Sequence, residues 1–289
     1  MKNNNIDMSS FIQGVKSIEE STETIHTAIS KSIQPLVNLS ISIREHFKRP
    51  EIQESLTRIA EGFIETKEDI KNYKKVIFLL GYPPSESTDI LLMRQIGREY
   101  VENGESNLKS IIDDIMKDHY NAQRIDEIKR HWENYSLLKE RLPLLRQSLN
   151  AHNLGMFAIS VPSILSQMEG IVIDGFDIKQ RVTGSKFKKL LKILFNIEDD
   201  EDSKGDENPF NFDNIIGKFY LNFILEQFQH GQENLSDVSR HAILHGGAKP
   251  TMYAKEEISL KMIMMMDNLL YRINNLTQEK KNEAHVILS

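Results

Sequence analysis

Apolar residues recur at three- and four-residue steps along nearly every long segment of this chain, and that rhythm confines it to helices. From Ile52, the positions Leu56, Ile59, Phe63, Ile70, Tyr73 and Ile77 share one helical stripe, which Leu80-Gly81-Tyr82-Pro83-Pro84 brings to a stop. A helix over 89–101 is predicted to end near Asn103-Gly104, and another carries Leu108, Ile111, Ile112 and Ile115. A further segment holds Ile125, Ile128, Trp132, Tyr135, Leu138 and Leu142, and Pro143 should kink or break it. No alternating run bounded by hairpin turns interrupts this pattern, and no internal repeat is present. The expected class is all-α, a helical bundle.

A composition change near Leu144 suggests a boundary, with an N-terminal helical region over 1–143 in a sensing or regulatory role and a second helical domain over 144–289. Residues 153–174 are far more apolar than the charged helices before them and read as a buried helix, kinked or started by Pro162. Helices follow over 185–195 and 213–229, separated by a loop. Asn234, Ser236 or Asp237 could cap a short helix ending at His245, where Gly246-Gly247 and Pro250 terminate it. The last major helix, over 254–276, carries two adjacent apolar stripes: Ile258, Met262, Met265, Leu269 and Leu276, beside Ile263, Met266, Leu270 and Ile273. Such a helix needs partners on both sides, a condition met either by core burial or by a dimer interface.

The chain has no cysteine, so disulfides, thiolate metal sites and a cysteine nucleophile are excluded. The start Met1-Lys2-Asn3-Asn4-Asn5 leads into a polar segment without the apolar run of a signal peptide. The most apolar stretches, 155–165 and 262–266, fall short of the ~20 residues that span a bilayer, so the expectation is a soluble, cytoplasmic protein with no membrane partner. A net charge of -6 excludes a uniformly basic nucleic-acid binder. Locally the balance differs. Lys179, Arg181, Lys186, Lys188, Lys189 and Lys192 occur without one intervening acid, and residues 198–207 then reverse the sign. The basic run is either a solvated helix face or a phosphate-tracking surface. The acidic run lacks calcium-loop spacing and reads as a loop.

The stretch that carries chemistry is Ser239-Arg240-His241-Ala242-Ile243-Leu244-His245-Gly246-Gly247. Arginine offers a permanently charged planar fork that grips phosphate through two hydrogen bonds, and histidine exchanges a proton near neutral pH. The stretch resembles the Arg-x4-6-His motif of the HEPN superfamily, including the polar residue after the arginine, His241, and the glycine that follows. The resemblance covers roughly the last half of the chain, whose four principal helices and short motif helix look like the HEPN arrangement. It implies a metal-independent endoribonuclease without cofactor, acting on RNA as a homodimer with paired motifs in a shared cleft. It further implies a role in bacterial antiviral defence, abortive infection or a toxin system, with a neutralising or sensing protein partner.

At about 100° per residue, Arg240 and His245 lie roughly 140° apart with His241 between them, an arc that suits a site completed by a second copy. In the expected reaction Arg240 holds phosphate and His245 transfers protons from the C-terminal end of its helix, where the helix dipole favours a cation. His241 has a supporting role. By the resemblance, Glu169 orients the arginine or histidine. Lys186, Lys188, Lys189 and Lys192 are candidate RNA contacts, and Tyr253 could stack on a base. His241 and His245 also have the spacing of a zinc-binding pair, but Ala242 stands where the HExxH motif has glutamate and no third ligand is evident, so no metal site is assigned. Gly247 stands where HEPN toxins silenced by a nucleotidyltransferase carry tyrosine, which argues against that control. His131 and His152 read as surface or packing residues. The alternative function is a non-catalytic helical module that binds RNA, nucleotide or protein.

Overall fold

The computed structural model describes Gln13, Lys16 and residues 34–85, 88–197, 211–227 and 238–288. It divides into two compact units, Met1–Glu65 and Thr66–Ser289. All regular elements among the described residues are helical, as the periodicity implies. The acidic run and the caps proposed at Asn234, Ser236 and Asp237 lie outside the described residues.

The long helix α1, Pro50–Ile77, runs through the division between the units. Of its predicted stripe, Leu56, Ile59 and Phe63 are exposed, whereas Ile70, Tyr73 and Ile77 are completely buried. One apolar pattern therefore meets two environments. The range Ile90–His119, α2, comprises the two helices expected on either side of Asn103-Gly104, parted by a kink where Gly104 leaves helical geometry with a φ of 79° and a ψ of 169°. Helix α3, Ala122–Trp132, is capped by the Asn121 side chain, and a 3-10 turn at Ser136–Leu138 leads to α4, Leu142–Asn153. Pro143 sits in the first turn of α4, where its missing N–H costs nothing. It starts a helix; the preceding one has already ended at Trp132.

Helix α5, Phe157–Gly175, contains Pro162 in its interior. It is long and apolar enough to cross a bilayer by length and composition, more than the shorter stretches noted in the sequence. In this fold it packs against α4 and against α10, Glu256–Asn274. Every residue of α10 from Ile258 to Leu270 is buried. The two stripes of α10 are thus satisfied within one chain, and its breadth gives no argument for a dimer. Met265, completely buried, is a core residue of the single chain.

The compact unit Thr66–Ser289 includes both sides of the composition change near Leu144. Trp132 Nε1 donates to Asp267 Oδ1 at 2.8 Å across the buried face between α3 and α10. Helices on the two sides of that point share one core because α10 also packs on α2 and α4.

The remaining elements frame the motif. Helix α6 is Gly184–Leu194, and α7 is the short Asp213–Phe219, which passes into a π-turn at Tyr220–Ile224. The motif helix α8 is Arg240–Leu244, α9 is Pro250–Tyr253, and α11 is Gln278–Leu288. The sequence reading missed α11, whose apolar pattern is thin: only Ala284 and Leu288 are buried.

Candidate functional site

Ser239 is the residue that starts the motif helix. Its hydroxyl accepts from the Ala242 N–H at 3.3 Å and donates to the Glu226 carbonyl at 3.1 Å. The first bond caps an otherwise unsatisfied helix N–H; the second ties that cap to the chain following the π-turn. At the other end His245 is the C-cap, and Gly246 adopts a φ of 72°, a left-handed conformation that glycine enters without steric cost. Ala248 N–H closes the turn on the Ala242 carbonyl at 2.8 Å. Both ends of this five-residue helix are therefore tightly defined, and so are the residues on it.

Arg240 points toward α5, where its Nη2 meets Glu169 Oε2 at 2.6 Å. The two side chains are largely covered, at 20% and 28% exposure, so the pair is better shielded than a surface ion pair and still open to a ligand. Arg240 Nε is buried and has no hydrogen-bond partner among the described residues. The Tyr220 hydroxyl, also buried, has none among them either. Burial pushes the Tyr220 pKa upward; the Arg240 charge opposes this and the Glu169 charge adds to it, which places the phenol within the field of both.

His241 is half-buried and its ring lies parallel to that of His245, with centroids 6.0 Å apart and 4° between planes. Burial lowers the His241 pKa first, and the neighbouring charges of Arg240, His245 and Lys188 lower it further, against an opposing pull from Glu169. A neutral ring at neutral pH results, able to accept a hydrogen bond or a proton. His245 is exposed. The helix thus presents a paired arginine inward, a neutral histidine at its flank and a second histidine to solvent.

The sequence candidates separate into those gathered here and those placed elsewhere. Glu169, Arg240, His241, His245 and Lys188 belong to one neighbourhood. Lys186 instead donates to the Leu288 carbonyl of α11. Lys189 and Lys192 line a separate cavity. Tyr253 ends α9, partly buried against the core, with α9 packed on α5. His152 is buried and bonded to Ser259, while His131 bonds the Tyr135 hydroxyl at 2.9 Å. Tyr220 is the member the sequence reading missed. It lies in a segment expected to be one regular helix over 213–229, and no spacing in the sequence marks the π-turn that brings it to Arg240.

No three His, Asp or Glu side chains converge as metal ligands among the described residues. No protein-family model matches this chain, and neither a curated protein nor a solved structure does.

Proposed function

We propose that the protein is an endoribonuclease that cleaves RNA through attack of the substrate's own 2'-hydroxyl, without a metal ion. The observation that carries the reading is Arg240, paired at 2.6 Å with Glu169 of α5 and carried on the same short motif segment as the parallel His241 and His245 rings. A phosphodiester arriving at this helix would meet the exposed part of the Arg240 guanidinium and two imidazoles differing in exposure.

In the reaction one histidine takes the proton of the 2'-hydroxyl as its oxygen attacks phosphorus. The bond from phosphorus to the 5' oxygen breaks, and an imidazolium gives that oxygen its proton. The products are a 2',3'-cyclic phosphate and a 5'-hydroxyl. Arg240 binds the phosphate and offsets the charge that builds on its oxygens. Glu169 holds the guanidinium in place. His245, the accessible imidazole, carries proton transfer, and His241 supports it by contacting substrate. A homodimer that places two such helices at one cleft would supply a second His245, so that acid and base come from different copies. The biological setting we propose is cytoplasmic, in bacterial antiviral defence or a toxin system with a neutralising or sensing partner.

The test is incubation of the purified chain with total RNA and transfer RNA in EDTA, followed by end analysis of fragments. Cleavage leaving cyclic phosphate and 5'-hydroxyl ends is expected, blocked by a 2'-deoxy nucleotide at the cut site, with DNA left intact. Arg240→Ala and His245→Ala should each lower the rate at least ~10-fold while the fold persists, since lost proton transfer commonly costs ~10² or more. A greater loss in His241→Ala than in His245→Ala would exchange their roles. A requirement for magnesium with 5'-phosphate products would refute the mechanism. Unchanged cleavage in both motif variants would put the catalytic groups elsewhere and leave Arg240 and Glu169 as a structural pair, whereas wild-type protein that cuts no RNA would favour a non-catalytic module.

A further inference from the structure

Helices α6 and α11 pack together and leave an open cavity of about 440 Å³. Its polar wall consists of Lys189, Lys192, Lys280, Asn196 and Glu283. Among the described lining residues, three ammonium groups stand against one carboxylate, a balance that favours an anion. Asp213, whose charge acts on Lys280, is already engaged: it is ion-paired with Arg272 Nη2 at 2.6 Å and accepts from Asn196 Nδ2 at 2.6 Å. Asn196 is anchored by that bond at the cavity edge. Lys280 is half-buried, donates to the Leu194 carbonyl at 3.2 Å, and has its pKa lowered by burial. A bound anion would compensate that desolvated charge.

The cavity also has an apolar side, formed by Ile193, Ile197 and Ile287. A pocket for inorganic phosphate alone has no use for it, whereas a nucleotide presents a phosphate at one end and a flat, largely apolar base at the other. The volume lies in the range of small-ligand pockets. Glu283 adds an acceptor of the kind a ribose hydroxyl can donate to. On α6, Lys188 reaches the charge neighbourhood of His241, and Lys192 follows one turn later, ~6 Å along the axis. The same helix therefore borders both the motif and the cavity.

We propose that this cavity binds one ribonucleotide unit of an RNA strand, with Lys189, Lys192 and Lys280 on its phosphate, the isoleucines against its base and Glu283 on its ribose. The strand as the source of that unit rests on the ribonuclease reading; the pocket chemistry does not.

The test measures binding to the full-length His245→Ala chain, in which bound RNA should persist, using a labelled short RNA, 5'-AMP, 5'-dAMP and inorganic phosphate as separate probes. The charge reversal Lys189→Glu with Lys192→Glu should weaken both RNA and AMP about tenfold and lower the salt dependence of RNA binding by roughly one phosphate contact. AMP should bind more tightly than inorganic phosphate and than dAMP. Lys280→Gln should act in the same direction, with thermal melting checking that each variant folds. Unchanged binding of RNA and AMP in both folded variants would overturn the proposal. Weakened AMP with unaffected RNA would overturn the strand as the source and leave a free ribonucleotide as occupant. Equal affinity for AMP and inorganic phosphate would overturn the base contact. Wild-type protein that binds in this way and cuts no RNA would sink the ribonuclease reading while the cavity assignment stands.

Discussion

His152 shows how a single buried group links this fold to pH. Its Nδ1 lies 2.8 Å from Ser259 Oγ, which in turn donates to Ser160 Oγ at 2.9 Å, joining α4, α10 and α5 through one polar chain. Burial lowers its pKa from 6.5 to about 4. The folded protein therefore keeps the ring neutral where the unfolded chain would already bind a proton. By linkage, the stability attached to this group is complete above pH 6.5 and declines as pH falls from 6.5 toward 4, by an amount on the order of 3 kcal/mol in total. Chemical denaturation at pH 7, 6, 5 and 4 should show that decline, and His152→Asn, which keeps a hydrogen-bonding atom near the Nδ1 position, should flatten it. An equal pH slope in the two proteins would assign acid sensitivity to other groups. Nothing in the sequence separates His152 from the exposed His131, because the difference is entirely one of surroundings.

At the scale of elements, two glycines hold geometry that no other residue supplies cheaply. A Cβ on Gly97 of α2 would stand 2.1 Å from the Asp69 carbonyl oxygen of α1, a backbone atom that cannot move aside alone. Gly97→Ala should therefore part the two helices and destabilise the protein by roughly 1–3 kcal/mol, the usual range for overpacking. Gly246 is the opposite case, since a Cβ there meets open space and the constraint is its φ of 72° alone. Gly246→Ala should cost about 1 kcal/mol and fray the end of α8 that presents His245. Thermal melts compare the two, and cleavage assays separate them further: Gly246→Ala should lose more activity for each degree of lost Tm than Gly97→Ala does. Stop signals such as Gly246-Gly247 and the proline pair after Tyr82 were readable because they act locally. The cap was not, since Ser239 is one of several residues able to cap, and its bond to the Glu226 carbonyl selects it.

The whole molecule bears on assembly. The breadth of α10 is consumed by its own chain, so the case for a dimer rests on the arc of the motif and on the exposure of His245. A dimer or larger assembly is expected by light scattering at micromolar concentration. Mixing wild-type with His245→Ala chains should lower cleavage more than in proportion to the wild-type fraction, because each mixed cleft would lack one of its two His245 imidazoles. A monomer that cuts RNA at the wild-type rate would refute the shared cleft. Met265→Glu is unsuitable as an interface probe, because a charge placed at that buried position would disrupt the monomer core.

Helix after helix, local periodicity sufficed to specify the class of this protein, because a 3.6-residue repeat of apolar side chains is itself the geometry of a one-sided helix. The motif was legible for the same reason, as Arg240, His241 and His245 lie within two turns and their relation follows from helical pitch. Contacts between distant segments have no such signature. Only packing decided that both stripes of α10 are buried, that Tyr220 and Glu169 reach Arg240, and that Lys280 joins Lys189 and Lys192 around one cavity. Each of these depends on how separate helices are docked, and docking is settled by the shapes and charges of whole faces together, which no single stretch of sequence contains.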